Sequence, residues 1–260
     1  MNDLELAQVL ANAADEISLS RYRALDLKVE AKPDRTPVTD ADRAVEQKLR
    51  DLLKLYRPND SIIGEEFANT GDSTRNWIID PIDGTANYLR GVPIWATLIA
   101  LRVDGELVTS VVSAPALGRR WWATSGKGAF TKDVDGSVRK LAVSGISELP
   151  DATLSFNSLE QWRDAGLLGQ LLELSTKVQR TRAYGDFLSY MFVAEGAIEI
   201  ASEHDLKIYD IAALVPILQE SGGMITSIVG PLQETTSSVL ATNGKLHVKV
   251  LQILRTDAGS

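Results

Sequence analysis

The chain contains no cysteine, which excludes disulfides, thiolate nucleophiles, iron–sulfur clusters and thiolate zinc sites. Histidine is nearly absent too, with only His204 and His247. Two are too few for a histidine-based zinc site or a two-histidine phosphotransfer scheme, so oxygen ligands must carry any metal chemistry. Long apolar runs are also missing: the longest, Val92 to Leu101, stops at Arg102, far short of a bilayer span. Positive charge is in the minority, since 27 Lys and Arg against 35 Asp and Glu leave a formal net charge of −8. Without a Lys/Arg-rich block beyond the pair Arg119-Arg120, no nucleic-acid partner is expected. Met1 to Val9 lacks the basic segment and apolar core of a signal peptide, so no membrane partner and a cytoplasmic location are expected.

What is present suits a soluble globular protein. At 260 residues, with 44% hydrophobic and 24% charged content, the chain is long enough for a large core. Residues 3–23 carry Leu4, Ala7, Leu10, Ala11, Ala14 and Ile17 at helical spacing. Lys28 to Pro37 reads as a loop or small hairpin. A second helix follows, with Ala44, Val45, Leu49, Leu52 and Leu53 apolar. Strands dominate from Ser61 to Thr131, and Asp104-Gly105 is a hairpin turn signal. Lys132 to Val138 is polar and turn-rich, the expected seam between halves of about 1–135 and 136–260 within one domain. In the second half, extended Ala152–Phe156, Ala197–Ala201 and Met224–Ile228 alternate with helical 166–174, Asp186–Ala194, Asp210–Glu220 and Lys245–Leu254. That alternation predicts a layered α/β or α+β domain.

Four acidic spots stand at strand ends or helix starts. In WIIDPIDGTANY (Trp77 to Tyr88), an apolar strand ends on Asp80 and Pro81, and Asp83 follows, then Gly84 and Thr85. Two carboxylates on a tight loop can share hard divalent cations, and a helix opening at DGT would offer N–H groups to a phosphate. The alternative is a polar turn after a buried strand. Glu65 and Glu66 end the strand Ser61–Gly64, where adjacent acids also suit a solvated loop. Thr39 and Asp42 fit a capping box, so Asp42 has a purely structural reading as well. Asp210, in the first turn of its helix, is likewise favoured by the helix dipole alone.

Together with GRRWWA (Gly118 to Ala123), GKGAF (Gly126 to Phe130), PVTDAD (Pro37 to Asp42), IIGEE (Ile62 to Glu66) and YDIAALVPILQESGG (Tyr209 to Gly223), these elements resemble the inositol monophosphatase family of magnesium-dependent phosphomonoesterases. The resemblance runs in the family's order over nearly the whole chain. It implies an αβαβα sandwich shared with the fructose-1,6-bisphosphatase type, two or three Mg²⁺ ions and a homodimer. It implies metal ligands at Glu65, Asp80, Asp83, Asp210 and the Ile82 carbonyl. It also implies a water near Glu65 oriented by Thr85, itself paired with Asp42, and a phosphate held at Gly84 and Thr85; Glu66 stays unassigned. The family helix usually begins Trp-Asp, and here Tyr209-Asp210 keeps an aromatic wall.

The stretch Arg182-Ala183-Tyr184-Gly185-Asp186 resembles the histidinol-phosphate phosphatase branch. A carboxylate at Asp186 suits a protonated amine, which neutral inositol lacks; the alternative is an N-cap on the following helix. Arg182, Gly185, Glu203 and Asp210 join Asp186 as expected substrate residues, with Glu203 alternatively a loop acid. The expected function is therefore histidinol-phosphate phosphatase, with a small phosphorylated substrate. A broad-specificity inositol-1-monophosphatase is the nearest rival. A bisphosphatase is disfavoured, because no second basic cluster is present. A non-catalytic metal-binding regulatory protein has no need of all of Glu65, Asp80, Asp83, Thr85 and Asp210.

Overall fold

The computed structural model describes residues 1–31 and 37–255. Its first half runs α1 (Asp3–Arg21), β1 (Val29–Ala31), β2 (Pro37–Thr39), α2 (Asp40–Tyr56), β3 (Ser61–Gly64), β4 (Arg75–Asp83), α3 (Thr85–Leu89), β5 (Ala96–Val103), β6 (Glu106–Ala114), β7 (Arg119–Thr124), β8 (Gly128–Lys132) and β9 (Val138–Lys140). Its second half runs β10 (Thr153–Phe156), α4 (Leu159–Asp164), α5 (Leu168–Lys177), β11 (Arg180–Arg182), α6 (Asp186–Ala194), β12 (Ile200–His204), α7 (Ile208–Ile211), α8 (Leu214–Glu220), β13 (Met224–Ser227), β14 (Ser238–Thr242) and α9 (His247–Leu254). Strands β3 to β9 form a seven-stranded sheet in sequence order, and a five-stranded sheet has the order β11-β10-β12-β14-β13. Among the described residues no helix is long and apolar enough to cross a membrane.

Strand alternation sorts the core into layers. Trp77, Ile79, Ile99 and Leu101 pack on α1 and α2 through Leu6, Leu10, Val45 and Leu49. Their neighbours Ile78, Leu98 and Ala100 face the other way, against Phe187 and Met191 of α6 and Ile217 of α8, which also cover Ala201 and Val239 of the second sheet. Leu154, Ile200 and Leu240 on the far face of that sheet pack on Trp162, Leu171 and Val250 of α4, α5 and α9. The order is helix, sheet, helix, sheet, helix, as the resemblance implied.

Several expectations need correcting. Lys132 to Val138 is not the seam: Lys132 pairs with Val138 across a β8–β9 hairpin inside the first sheet, so the passage between sheets comes after Lys140. The helix read over Asp210–Glu220 is two short helices, because Pro216 has no N–H to bond the Ala212 carbonyl. Strand β14, between β12 and the edge strand β13, carries little sequence signal because Val239-Leu240-Ala241 is a short apolar run inside a Ser/Thr-rich stretch. In α2 Ala44 is exposed, whereas Glu46 is fully buried alongside Val45 and Leu49. The Asp104-Gly105 turn matches its expectation, with φ values of 50° and 90° joining β5 to β6. β1 and β2 pair as the arms of a hairpin, and the residues between them, 32–36, lie outside the described residues.

Candidate active site

Asp80 and Asp83 are three residues apart on β4, so in a regular strand they would face opposite sides of the sheet. They do not, because β4 carries a bulge. Asp80 pairs with Leu98 and Asp83 with Ala96, leaving two residues, Pro81 and Ile82, opposite the single residue Thr97. Proline suits the bulge because it has no N–H to place in the ladder. Thr97 Oγ1 donates to the Pro81 carbonyl at 2.8 Å, and Asp80 Oδ1 accepts the Ile82 N–H at 3.0 Å. Both carboxylates therefore turn toward the middle helix layer, on the side of Ile78.

Parallel pairing of β3 with β4 sets Gly64 beside Ile79, which brings the next residue, Glu65, alongside Asp80. The Glu65-Glu66 loop is anchored by Glu46, whose carboxylate accepts the Glu66 N–H at 2.7 Å and the Phe67 N–H at 3.3 Å. Arg50 neutralises Glu46 at 2.8 Å. Gly64 has to be glycine, since a Cβ there would lie 2.0 Å from Glu46 Oε1.

From the second half, Asp210 enters at the third position of α7. Its Oδ2 accepts the Lys207 N–H at 2.7 Å, closing a cap. Asp80, Asp83 and Asp210 each offer an oxygen within 4.8 Å of the others. Burial drives the Asp80 carboxyl well above its ordinary range, and the negative charges of Glu65, Asp83 and Asp210 push it further. Burial does the same to Asp83, with the charges of Asp186 and Asp210 adding to it. Asp210 is pushed up to about 7, mainly by burial, against the favourable Lys207 N–H bond. Packed carboxylates of this kind need protons or cations among them, and an all-oxygen set fits a hard divalent ion.

Gly84 turns the chain from β4 into α3 at φ 84°, and a Cβ there would sit 2.9 Å from the Ile94 carbonyl. Thr85 follows, with Oγ1 placed 3.2 Å from Asp42 Oδ1 and 3.0 Å from the Ile82 carbonyl. Asp42 is buried at the start of α2. Its Oδ2 accepts from Thr39 N–H at 2.8 Å and Thr39 Oγ1 at 2.5 Å. The capping box and the Thr85 contact therefore coexist on one carboxylate. Burial raises the Asp42 carboxyl despite those bonds.

Asp186 does not cap α6. The N–H of Phe187 goes to Asp83 Oδ2 at 2.8 Å, while Asp186 adopts a left-handed φ of 50°. Its Oδ2 accepts from Asn87 Nδ2 at 2.8 Å and would lie 3.3 Å from a Cβ on Gly84. Burial pushes Asp186 up to about 6, with the Asn87 bond opposing. Asn87 was not singled out from sequence, although it belongs to the same motif.

The walls of a cleft of about 410 Å³ include Glu65, Asp80, Ile82, Asp83, Gly84, Thr85, Asp186, Tyr209 and Asp210. Arg182 and Glu203 are not on that surface. Arg182 is exposed on β11 and donates to the Thr181 carbonyl at 2.7 Å. Glu203 is buried in β12, raised by burial and by the charges of Asp186 and Asp210. Gly185, at φ 75°, precedes the turn that presents Asp186. A larger hollow of about 810 Å³, beside α1 and β7, contains none of the clustered carboxylates.

The chain is similar to known proteins over nearly its whole length. The chain is 52% identical over 260 residues to a histidinol-phosphatase from Mycobacterium tuberculosis, covering 99% of each chain. It is 49% identical to a histidinol-phosphatase from Streptomyces coelicolor, covering 98% of this chain and 97% of the other. A solved IMPase/NADP phosphatase complexed with Mg²⁺ and phosphate superposes with a TM-score of 0.84 at 25% identity, covering 98% of this chain and 95% of that one. The profile of the inositol monophosphatase family matches residues 2–257, a span that takes in both sheets and every carboxylate of the cleft. The chain belongs to the inositol monophosphatase family.

Proposed function

We propose that this protein hydrolyses L-histidinol phosphate to L-histidinol and phosphate, as a step of histidine biosynthesis, with Mg²⁺ as its cofactor. Glu65, Asp80, Asp83, Asp210 and the Ile82 carbonyl would hold two or three ions. When bound, such ions neutralise phosphate oxygens, make a water acidic and stabilise the leaving alkoxide. The first half then supplies three of the carboxylate ligands, and the second supplies Asp210 and the amine partner Asp186.

The chain's own groups have defined tasks. Thr85 Oγ1 has one proton, which it can give to Asp42 Oδ1 at 3.2 Å; its lone pairs are then directed to accept a proton from the attacking water. Glu65, lining the same cleft, would stand beside that water. The Gly84 and Thr85 N–H groups, at the start of α3 in the wall of the cleft, would hold the phosphate.

The observation that carries the substrate assignment is Asp186. Its carboxylate stands against Gly84 and is fixed by Asn87. A partly desolvated carboxylate beside the phosphate loop calls for a cation, and the amine of histidinol phosphate is on the carbon next to the phosphorylated one. Inositol phosphate would leave that carboxylate unpaired. The test is the ratio of kcat/KM for histidinol phosphate and inositol-1-phosphate at saturating Mg²⁺. A ratio above about ten is expected, corresponding to a bond of at least about 1.4 kcal/mol. A ratio of one or less refutes the assignment.

A further inference from the structure

Phosphate and amine account for only part of histidinol phosphate, whose imidazole lies one carbon beyond the amine. Gln161 and Asp205 also line the cleft. Neither belongs to the carboxylate cluster or to the loop at Gly84. Both line an adjoining cavity of about 340 Å³ as well, which contains His204 and Ser237. Gln161 and Asp205 therefore stand between the cleft and this hollow, on the surface of the second half.

They rise from one rigid base. Gln161 precedes Trp162, which is fully buried, and Asp205 follows His204, which is buried too. The two rings meet edge to face, with centroids 4.3 Å apart. Asn157 Nδ2 donates to the His204 carbonyl at 2.9 Å, tying the end of β12 to the start of α4. Ser158 Oγ donates to Gln161 Oε1 at 3.2 Å, which directs the amide –NH2 of Gln161 away from that bond. Asp205 adopts a left-handed φ of 61°, a conformation that Asp tolerates better than most residues.

One acceptor and one donor at the far end of the cleft match a neutral imidazole, which has one N–H and one bare nitrogen. Resting on the substrate assignment above, we propose that Gln161 and Asp205 form the ring subsite. Asp205 accepts the imidazole N–H, and Gln161 Nε2 donates to the other nitrogen. The ammonium is then read by Asp186 and the ring by a separate pair on α4 and the turn after β12.

The experiment compares histidinol phosphate with alaninol phosphate, which keeps the phosphate and the amine but lacks the ring. Asp205→Gly, which tolerates the left-handed φ and removes the acceptor, and Gln161→Met are measured on both substrates in the Mg²⁺-loaded enzyme. Each variant is expected to raise KM for histidinol phosphate about three- to tenfold, the loss of one hydrogen bond, with kcat little changed. Alaninol phosphate kinetics should not move. That control separates loss of a ring contact from loss of fold. Unchanged KM for histidinol phosphate in both variants overturns the subsite, as does an equal loss on both substrates. Failure of the substrate assignment reads differently: wild type itself would then show no preference for histidinol phosphate over inositol-1-phosphate, and the subsite falls with it.

Discussion

Asp186→Asn tests the substrate assignment most directly, because the structure predicts what the substitution keeps and what it removes. Asn is compatible with the φ of 50° at this position, and its side-chain oxygen can still accept from Asn87 Nδ2, now at 2.8 Å. Packing and the turn should therefore survive. What disappears is one negative charge in a mostly buried place. A charge-assisted bond to an ammonium there is worth roughly 1.5–3 kcal/mol, about a tenfold to hundredfold loss in kcat/KM for histidinol phosphate. Inositol-1-phosphate should be hydrolysed no worse, since no buried carboxylate is left facing neutral hydroxyls. The wild-type pH profile supplies an independent check. Burial holds the Asp186 carboxyl at about 6, and a bound cation nearby would pull it lower. As pH falls through that value Asp186 becomes neutral, so the histidinol-to-inositol selectivity of wild type should decline toward that of the variant. Ionisation of the phosphate is shared by both substrates and cancels in the ratio, while ionisation of the imidazole, about pH 6.5, is common to wild type and variant and cancels between them. Steady-state kinetics on both substrates from pH 5 to 8.5 measures this. A selectivity ratio that is the same in wild type and Asp186→Asn at pH 8 refutes the reasoning.

Asp83→Asn should reduce turnover by about two orders of magnitude or more, since it removes charge at the reacting phosphate. Its melting temperature should change little, because Asn can still accept the Phe187 N–H; near wild-type turnover at low Mg²⁺ would exclude a ligand role. Thr85→Ala should lower kcat with little change in KM, as expected for a group that orients water and not substrate; an effect on KM alone contradicts that. Metal and pH should act together on stability. Asp186 at about 6 and Asp210 at about 7 are raised above their unfolded values of roughly 3.9. Their contribution to metal-free stability is therefore fully present below about pH 4 and is lost as pH rises through 6 to 7. Mg²⁺ should accordingly raise the melting temperature more at pH 8 than at pH 5.5, and an equal rise at both would show that Asp210 does not bind it.

The parts of the site that were legible in the sequence are those set by local chemistry. The acids stand at strand ends and helix starts, a helix opening at Asp83-Gly84-Thr85 offers N–H groups to an anion, and the absence of cysteine and scarcity of histidine leave only oxygen ligands. What stayed hidden depends on long-range packing. No local pattern says that α6 would be closed by Asp83 instead of Asp186, because that bond joins residues 104 apart in sequence. Nor does the spacing of Asp80 and Asp83 reveal the bulge that puts them on one face; without it, period-two alternation separates them. Glu46 was passed over because a buried acid breaks the apolar stripe of α2, and only Arg50 and the N–H groups of Glu66 and Phe67 explain its place. The αβαβα layering came from the family resemblance, since helical and strand periods carry no information on which faces meet.

The structural and catalytic readings of these acids turn out not to compete. Asp42, Asp83 and Asp210 each spend one oxygen on a backbone N–H at a helix start, from Thr39, Phe187 and Lys207 respectively. In Asp42 the second oxygen meets Thr85, and in Asp83 and Asp210 a carboxylate oxygen falls within the cluster. The starts of α2, α6 and α7 therefore converge on the cleft, and their positive dipole ends offset part of the buried negative charge. This sharing decides which variants are informative. Asp42→Ala loses both the cap and the Thr85 contact, and a lost cap costs about 1 kcal/mol, or roughly 2–4 °C of melting temperature in a chain of this size. Asp42→Asn can keep an acceptor for the cap while giving up the charge. If Asp42 serves catalysis through Thr85, both variants should lose turnover while only Ala loses stability. If Asp42 is a cap and nothing more, Asn should behave as wild type in both measurements.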